Sequence, residues 1–280
     1  MKKVALCIIA TRNYKRLLQP LLESVKKYFL IQHKLSLFIF TDSSDHKGWL
    51  DLDGYNVCWT QIEHLPFPLP TLFRYKTLLK RESELSKFDY IFYCDADARF
   101  VGEVGDELLG EGITAIQHPC AGSNISDDSC EQSEISWDLC FELFAGIGFK
   151  AWAFEPNPDS LAYIASEEQK QYFCGAIQGG LSKKYLEAMN VIEKNIDSDL
   201  GQNIIALWHD ETHWNKYLSQ NPPHTILPFW YCFPESKDWP SRENAWKKGV
   251  YVPEEKEIKM LCLDKDLHGG YSSYRGNAKR

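Results

Sequence analysis

None of the nine cysteines in this 280-residue chain forms a C-x-x-C pair, which removes the usual frame of a structural zinc site. Their odd number also excludes a fully paired disulfide framework. Cys7, Cys94 and Cys174 lie in apolar runs, where a free thiol behaves as a small hydrophobe. A reducing cytoplasm is the expected compartment. Long apolar stretches are missing as well: none approaches the roughly 18 residues of a membrane span. The short run at residues 4–10 lacks a small-residue cleavage pattern after it, so it reads as a first strand and not as a signal peptide. Positive charge is in deficit, with 31 Lys and Arg against 39 Asp and Glu, a net charge of −8. That balance argues against a protein that coats nucleic-acid phosphates. An acidic chain that holds a pyrophosphate needs a metal or a few placed Lys and Arg side chains. Neither G-x-G-x-x-G nor a Walker motif occurs, and no internal repeat or low-complexity tract is present.

What is present alternates in a recognisable rhythm. Residues 4–10 are continuously apolar, as in a buried parallel strand. Leu17, Leu18, Leu21, Leu22 and Val25 follow at helical spacing, with Asn13 placed to cap them. Residues 35–41, 57–62, 90–94 and 113–117 read as further strands. Pro66, Pro68 and Pro70 mark an extended loop before one helix over 71–86. This order predicts an α/β sheet flanked by helices, with ligands gathered at the C-terminal strand ends. Residues 119–150 lose periodicity and are expected to form a loop or lid. Helices are expected over 181–194 and 199–218, and the polar tail from Asp264 is expected to be mobile.

D-x-D occurs four times. Asp51/Asp53, Asp197/Asp199 and Asp264/Asp266 sit in polar surroundings and read as solvated turn or cap residues. Asp95/Asp97 differs, because the apolar strand from Tyr90 to Cys94 should deliver both carboxylates to its mouth. Two like charges on a short, partly desolvated turn require a counter-cation. Hard carboxylate oxygens suit Mn²⁺ or Mg²⁺ bridging to a diphosphate. The stretch from Trp208 to Tyr217 reads W-H-D-E-T-H-W-N-K-Y. His209 and His213 are four apart and would share a helix face, as in the zinc protease signature H-E-x-x-H. Asp210 stands where that signature needs Glu, and no third ligand follows. The alternative to a site is a helix with ordinary polar residues, but the density of polar groups between tryptophans suits a sugar site. The glycines of the stretch from Cys174 to Gly180, taken alone, form a turn.

Together these motifs resemble glycosyltransferase family 6, which includes the histo-blood-group A and B transferases and the α1,3-galactosyltransferases. The resemblance runs from about residue 4 to residue 277. It is most specific at 208–217, close to the family's W-H-D-E-S-H-L-N-K-Y. Residues 90–97 match the strand bearing the family's D-V-D; Gln117-His118-Pro119, residues 160–164 and residues 172–180 follow in the family's order. The resemblance implies a GT-A fold: a Rossmann-like mixed sheet flanked by helices, with a D-x-D metal site. A single catalytic domain is expected, with a nucleotide-binding half at 1–117, an acceptor-binding half at 118–262 and a mobile tail at 263–280. It further implies retaining transfer of galactose or N-acetylgalactosamine from a UDP-sugar to a glycan, in α1,3 linkage.

By position, Asp95 and Asp97 would hold Mn²⁺ or Mg²⁺ against the diphosphate, with Ala96 between them. Ile9, Ala10 and Tyr14 would line the uridine pocket, and Arg74, His209 and Asp210 would contact the donor. His118, Trp208 and Glu211 would face the acceptor, Glu211 also the reacting centre. Arg275 matches the basic tail residue that covers the pyrophosphate. Cys174, Gly175 and Ala176 match the positions that discriminate donor sugars, and the Ala176 methyl favours galactose. Some bacterial relatives lack the metal motif, whereas both Asp residues are kept here, which implies metal dependence. At 154–157, Pro and Asn stand where relatives often carry two arginines. The animal enzymes also carry an N-terminal anchor, while this chain begins at the first strand, so an unanchored bacterial or viral cytoplasmic enzyme is expected. The rival readings are a transferase using UDP-glucose, a non-catalytic metal-dependent carbohydrate-binding protein, and a zinc protease.

Overall fold

In the computed structural model, residues 1–43, 54–118, 154–235, 253–265 and 267–270 are described. Alternation of buried side chains organises the centre. Strand β1 (Lys3–Ile9) sends Val4, Leu6 and Ile8 into one core and Ala5 and Cys7 into another. Such two-sided burial is what a parallel strand covered by helices requires. It is followed by α1 (Leu18–Tyr28), β2 (Lys34–Thr41) and β3 (Asn56–Gln61). Beyond them lie β4 (Tyr90–Cys94), β5 (Ala98–Phe100), β6 (Ile113–Ile116), β7 (Ile177–Leu181) and β8 (Thr225–Leu227). The main sheet has seven strands in the order β3-β2-β1-β4-β7-β6-β8. Strands β3, β2, β1 and β4 are parallel, β7 runs antiparallel to both neighbours, and β8 is parallel to β6. Short strands β9 (Phe233–Pro234) and β10 (Met260–Cys262) join β5 in a second sheet. The expected mixed α/β architecture is therefore present.

Leu18, Leu21, Leu22 and Val25 of α1 cover one face of the main sheet. The opposite face receives helices whose bounds depart from the sequence expectation. One helix over 71–86 is instead α2 (Leu69–Leu72), α3 (Arg74–Leu78), a 3-10 turn at Leu79–Arg81 and α4 (Glu82–Leu85). The chain leaves helical geometry at Phe73 (φ −91°, ψ 17°) and at Arg81 (φ −119°, ψ 24°). Tertiary contacts override propensity here, because the break lets Arg74 and Tyr75 both be buried. Likewise the expected boundary between 194 and 199 is absent. A single helix, α5 (Ser182–Gly201), runs through it, and α6 (Asp210–Gln220) starts later. The real interruption falls after Gly201, where Asn203 adopts φ 59°, a conformation asparagine tolerates better than most residues.

The glycine-rich stretch is also not a turn. Residues 177–181 form β7 between β4 and β6. Gly179 lies against Phe92, where a Cβ would collide, and a Cβ on Gly180 would fall 2.8 Å from the Ile113 Cα. Gly180 also has φ 136°. The glycines allow close strand approach.

Candidate active site

Strand geometry builds the first half of the site. Residues two apart on a strand share a face, so Tyr93 in β4 and Asp95 just beyond it point the same way. The Tyr93 hydroxyl donates to Asp95 Oδ1 at 2.6 Å. Arg74, first residue of α3, enters from above with its guanidinium carbon 4.3 Å from the Tyr93 ring centre. It bonds Asp95 Oδ1 at 3.2 Å, lies 3.0 Å from Asp210 Oδ2, and donates to the Gly175 carbonyl. Burial opposes the charge on Arg74, but Asp210, Tyr93 and Asp95 outweigh it and hold the group well above its ordinary value. Asp95 moves upward because burial and the neighbouring Asp97 outweigh Arg74. On the other carboxylate, Lys265 Nζ contacts Asp97 Oδ2, and both residues are buried.

These groups open on a cavity of about 490 Å³ at the ends of the parallel strands. Of the expected donor residues, Ile9, Tyr14, Arg74, Asp95, Ala96 and Asp97 line it. Ala10 is fully buried, its N–H donating to the Phe40 carbonyl at 2.9 Å. Thr11, Arg12, His64, Phe67, Tyr93 and Lys265 also line the cavity, and sequence reasoning missed them. Thr11 Oγ1 and His64 Nδ1 are 2.9 Å apart. Among the described residues no group of three or more His, Cys, Asp or Glu converges as a metal cage. The donor set still fits Mn²⁺ or Mg²⁺, which commonly bind through one or two carboxylates plus substrate phosphates. Asp95 and Asp97 offer that pair at the cavity wall, provided Lys265 yields its contact.

The second half of the site begins at α6. Asp210 and Glu211 occupy its first turn, where the helix dipole favours negative charge. Burial is the larger effect: it pushes Asp210 up to about 7 against the pull of Arg74. It also pushes Glu211 up to about 7, although the Gly175 N–H donates to Glu211 Oε2 at 2.6 Å. The Gly175 peptide is thus held on both sides, since its carbonyl accepts from Arg74 and from Gln178 Nε2 at 3.2 Å. One residue on, the Ala176 carbonyl accepts from the Asp95 N–H at 2.8 Å. Arg74, Asp95, Gly175, Ala176, Asp210 and Glu211 are therefore brought into one network. The preceding Cys174 N–H donates to the Ile116 carbonyl at 2.8 Å.

Other expectations fall elsewhere. His209 does not share a helix face with His213. It precedes α6 with φ 56°, and its ring meets Phe67 edge-on at 5.1 Å. His213 lies inside the helix, buried 3.5 Å from Asp199, and burial lowers it to about 4. The two imidazoles thus lose the shared zinc face. Asp199 is not a solvated cap either: it is buried and accepts from Ser160 Oγ at 2.6 Å and from the Leu161 N–H at 2.9 Å. His118 packs edge-on against Tyr172 at 5.7 Å, and burial lowers it to about 4, so it is neutral near pH 7. The Trp208 N–H donates to Thr212 Oγ1 at 2.9 Å. Arg275, Asp51, Asp53, Asp266 and residues 119–150 lie outside the described residues. No helix among the described residues is long and apolar enough to cross a membrane.

Comparison with known proteins bears on the family. The model of glycosyltransferase family 6 matches residues 2–137 and 140–260. Human globoside alpha-1,3-N-acetylgalactosaminyltransferase 1 is 23% identical over 268 residues, covering 94% of this chain and 67% of its own. Rat histo-blood group ABO system transferase 2 is 24% identical, covering 89% of this chain and 68% of its own. The O-antigen biosynthesis glycosyltransferase WbnI of Escherichia coli is 24% identical, covering 97% of both chains. With the family matched over nearly the whole chain and a seven-stranded mixed sheet of GT-A type beneath the site, this protein is a glycosyltransferase and belongs to glycosyltransferase family 6.

Proposed function

We propose that this chain is a retaining, metal-dependent hexosyltransferase that moves galactose or N-acetylgalactosamine from a UDP-sugar to a glycan acceptor in α1,3 linkage. The observation that carries the reading is the network from the cavity wall through Arg74 to Asp95, Asp210, Gly175 and Glu211. In a chain of net charge −8, the cavity nevertheless gathers Arg12, Arg74 and Lys265. Placed cations of that kind favour a diphosphate.

Residues 1–117 form the nucleotide-binding half in this account, with Ile9 and Tyr14 packing against the uridine. Asp95 and Asp97 would hold Mn²⁺ or Mg²⁺, which when bound supplies charge neutralisation for the departing diphosphate. Arg74 orients the donor and offers a fixed cation beside the leaving group. Glu211 presents a carboxylate to the anomeric carbon, supporting the positive charge of an oxocarbenium-like transition state. His118 and Trp208 bound the acceptor side, and Arg275 would serve as the cation for the pyrophosphate. Galactose is the preferred sugar, since the Ala176 methyl reduces room for an N-acetyl group. The E. coli relative is an O-antigen biosynthesis glycosyltransferase, which supports a surface-glycan precursor as the acceptor; a cytoplasmic site of action belongs to the same proposal.

The test is UDP release from UDP-galactose, UDP-GalNAc and UDP-glucose, with Mn²⁺ and then with EDTA. Metal-dependent release, fastest from UDP-galactose, is expected. Release that survives EDTA removes the metal role, and preference for UDP-glucose replaces the donor assignment. Proton NMR of the transferred product reads the retained anomeric configuration.

A further inference from the structure

Asn215 is buried on α6, one helical turn beyond Glu211. Its side-chain amide pairs with both polar groups of one residue on a different segment. Oδ1 accepts the Phe173 N–H at 2.7 Å, and Nδ2 donates to the Phe173 carbonyl at 2.9 Å. A neighbouring β-strand would supply the same pair of bonds. On the other side, Phe173 bridges Gln117 beyond the end of β6. Asn215 therefore stands in for a missing strand at the edge of this segment. Its Nδ2 also donates to the Glu211 carbonyl at 2.9 Å.

We propose that Asn215 is a positioning residue that sets the spacing between Glu211 and the donor-facing residues 174–176; this rests on the roles given above to Glu211 and Ala176. The hydrogen bonds close a ring. Asn215 ties residue 173 to the backbone of residue 211, and the Glu211 carboxylate returns to the Gly175 N–H. The ring has little slack: a Cβ on Gly175 would lie 2.9 Å from Glu211 Oε2 and 3.1 Å from Glu211 Cβ. Displacing α6 from the segment thus moves the carboxylate and alters the room beside Ala176 together. Asparagine is matched to the task because it offers a donor and an acceptor at one length. Aspartate loses the donor and sets a carboxylate against two carbonyls; glutamine carries the amide one methylene too far.

The experiment measures UDP release from UDP-galactose and UDP-GalNAc by wild type, Asn215→Asp, Asn215→Gln and Leu218→Ala. Leu218 is buried on the same helix without these hydrogen bonds. Misplacement of a reacting group costs up to about 100-fold. For Asn215→Asp the expected result is a kcat at least about tenfold lower with donor KM changed less, and a donor preference shifted about threefold or more. Asn215→Gln, which keeps both amide functions, reads the same quantities if Asn215→Asp fails to fold. Leu218→Ala is expected to lower the thermal midpoint yet keep the donor preference. Wild-type kcat and donor preference in both Asn215 variants overturns the proposal. So does a matching change in Leu218→Ala, which would reduce Asn215 to a stability role. Glu211→Gln, run alongside, separates the two levels: unaltered turnover there removes the site reading itself, and the role of Asn215 with it.

Discussion

The two walls of the site are held by different forces. On the strand-end wall, from Ile9 to Tyr14, His64 and Phe67, the cavity is bounded mainly by rings, aliphatic side chains and prolines. Of its local ties, Lys15 to Asp42 at 2.9 Å and the Arg12 N–H to Asp42 at 3.1 Å are partly open to solvent, while Thr11 pairs with His64 at 2.9 Å in a part-buried position. On the α6 wall, each peptide from residue 173 to residue 176 is fixed by a hydrogen bond to another segment. An exposed ion pair contributes only about 0–1 kcal/mol, whereas leaving a buried charge without its partner costs about 3–5 kcal/mol. The first wall can therefore adapt to a nucleotide, while the second is organised before substrate arrives. That division is what electrostatic stabilisation of a transition state requires.

Arg74 joins the walls, so Arg74→Ala tests the contrast most severely. It strands Asp95 and Asp210, and turnover is expected to fall about 10²–10³-fold, with about 3–5 kcal/mol lost in unfolding experiments. Lys15→Ala, on the open wall, should change stability by less than about 1 kcal/mol. Comparable losses at both positions would break the distinction. Next in size, if Asp97 holds the metal as proposed, EDTA treatment and Asp97→Asn should each lower UDP release about 100-fold through loss of charge neutralisation at the leaving group.

The pH dependence sharpens the comparison because activity and stability move in opposite directions. Glu211 and Asp210 are raised from 4.5 and 3.8 to about 7, so the folded state binds their protons more tightly than the unfolded state does. Stability from these two groups rises as pH falls from about 7 toward 4.5. Turnover that needs ionised Glu211 falls over the same range, about tenfold per pH unit below 7. Parallel titration of kcat and thermal midpoint reads both slopes; slopes of the same sign would contradict the assignment. On donor choice a smaller effect than that of EDTA is expected: Ala176→Gly should raise relative use of UDP-GalNAc about tenfold, the scale set by one methyl in a pocket. Unchanged donor preference would remove Ala176 from sugar selection.

The sequence made much of the strand-end wall legible. The unbroken apolar run Tyr90–Cys94 ending at Asp95 and Asp97 forecast both a buried strand and carboxylates at its mouth. The motif at 208–217 likewise marked the segment bearing Asp210 and Glu211. Three things were hidden. Lys265 carries no periodic signal in a polar tail, and only the fold brings it to Asp97. Gly179 and Gly180 resembled a turn because the crowding they relieve belongs to strands far away in sequence. The break at Phe73 arises from where Arg74 must go, not from the local propensity of residues 71–86. Asn215 was visible inside its motif, but its partner Phe173 is 42 residues away.

The central claim is that the open wall binds the nucleotide while the buried wall performs the transfer. Titration of UDP into wild type and Glu211→Gln, with UDP release from UDP-galactose measured on the same samples, tests it most directly. The account predicts UDP affinity within about threefold of wild type and release lowered at least about 100-fold. Affinity and release falling together, or release persisting in Glu211→Gln, would contradict it.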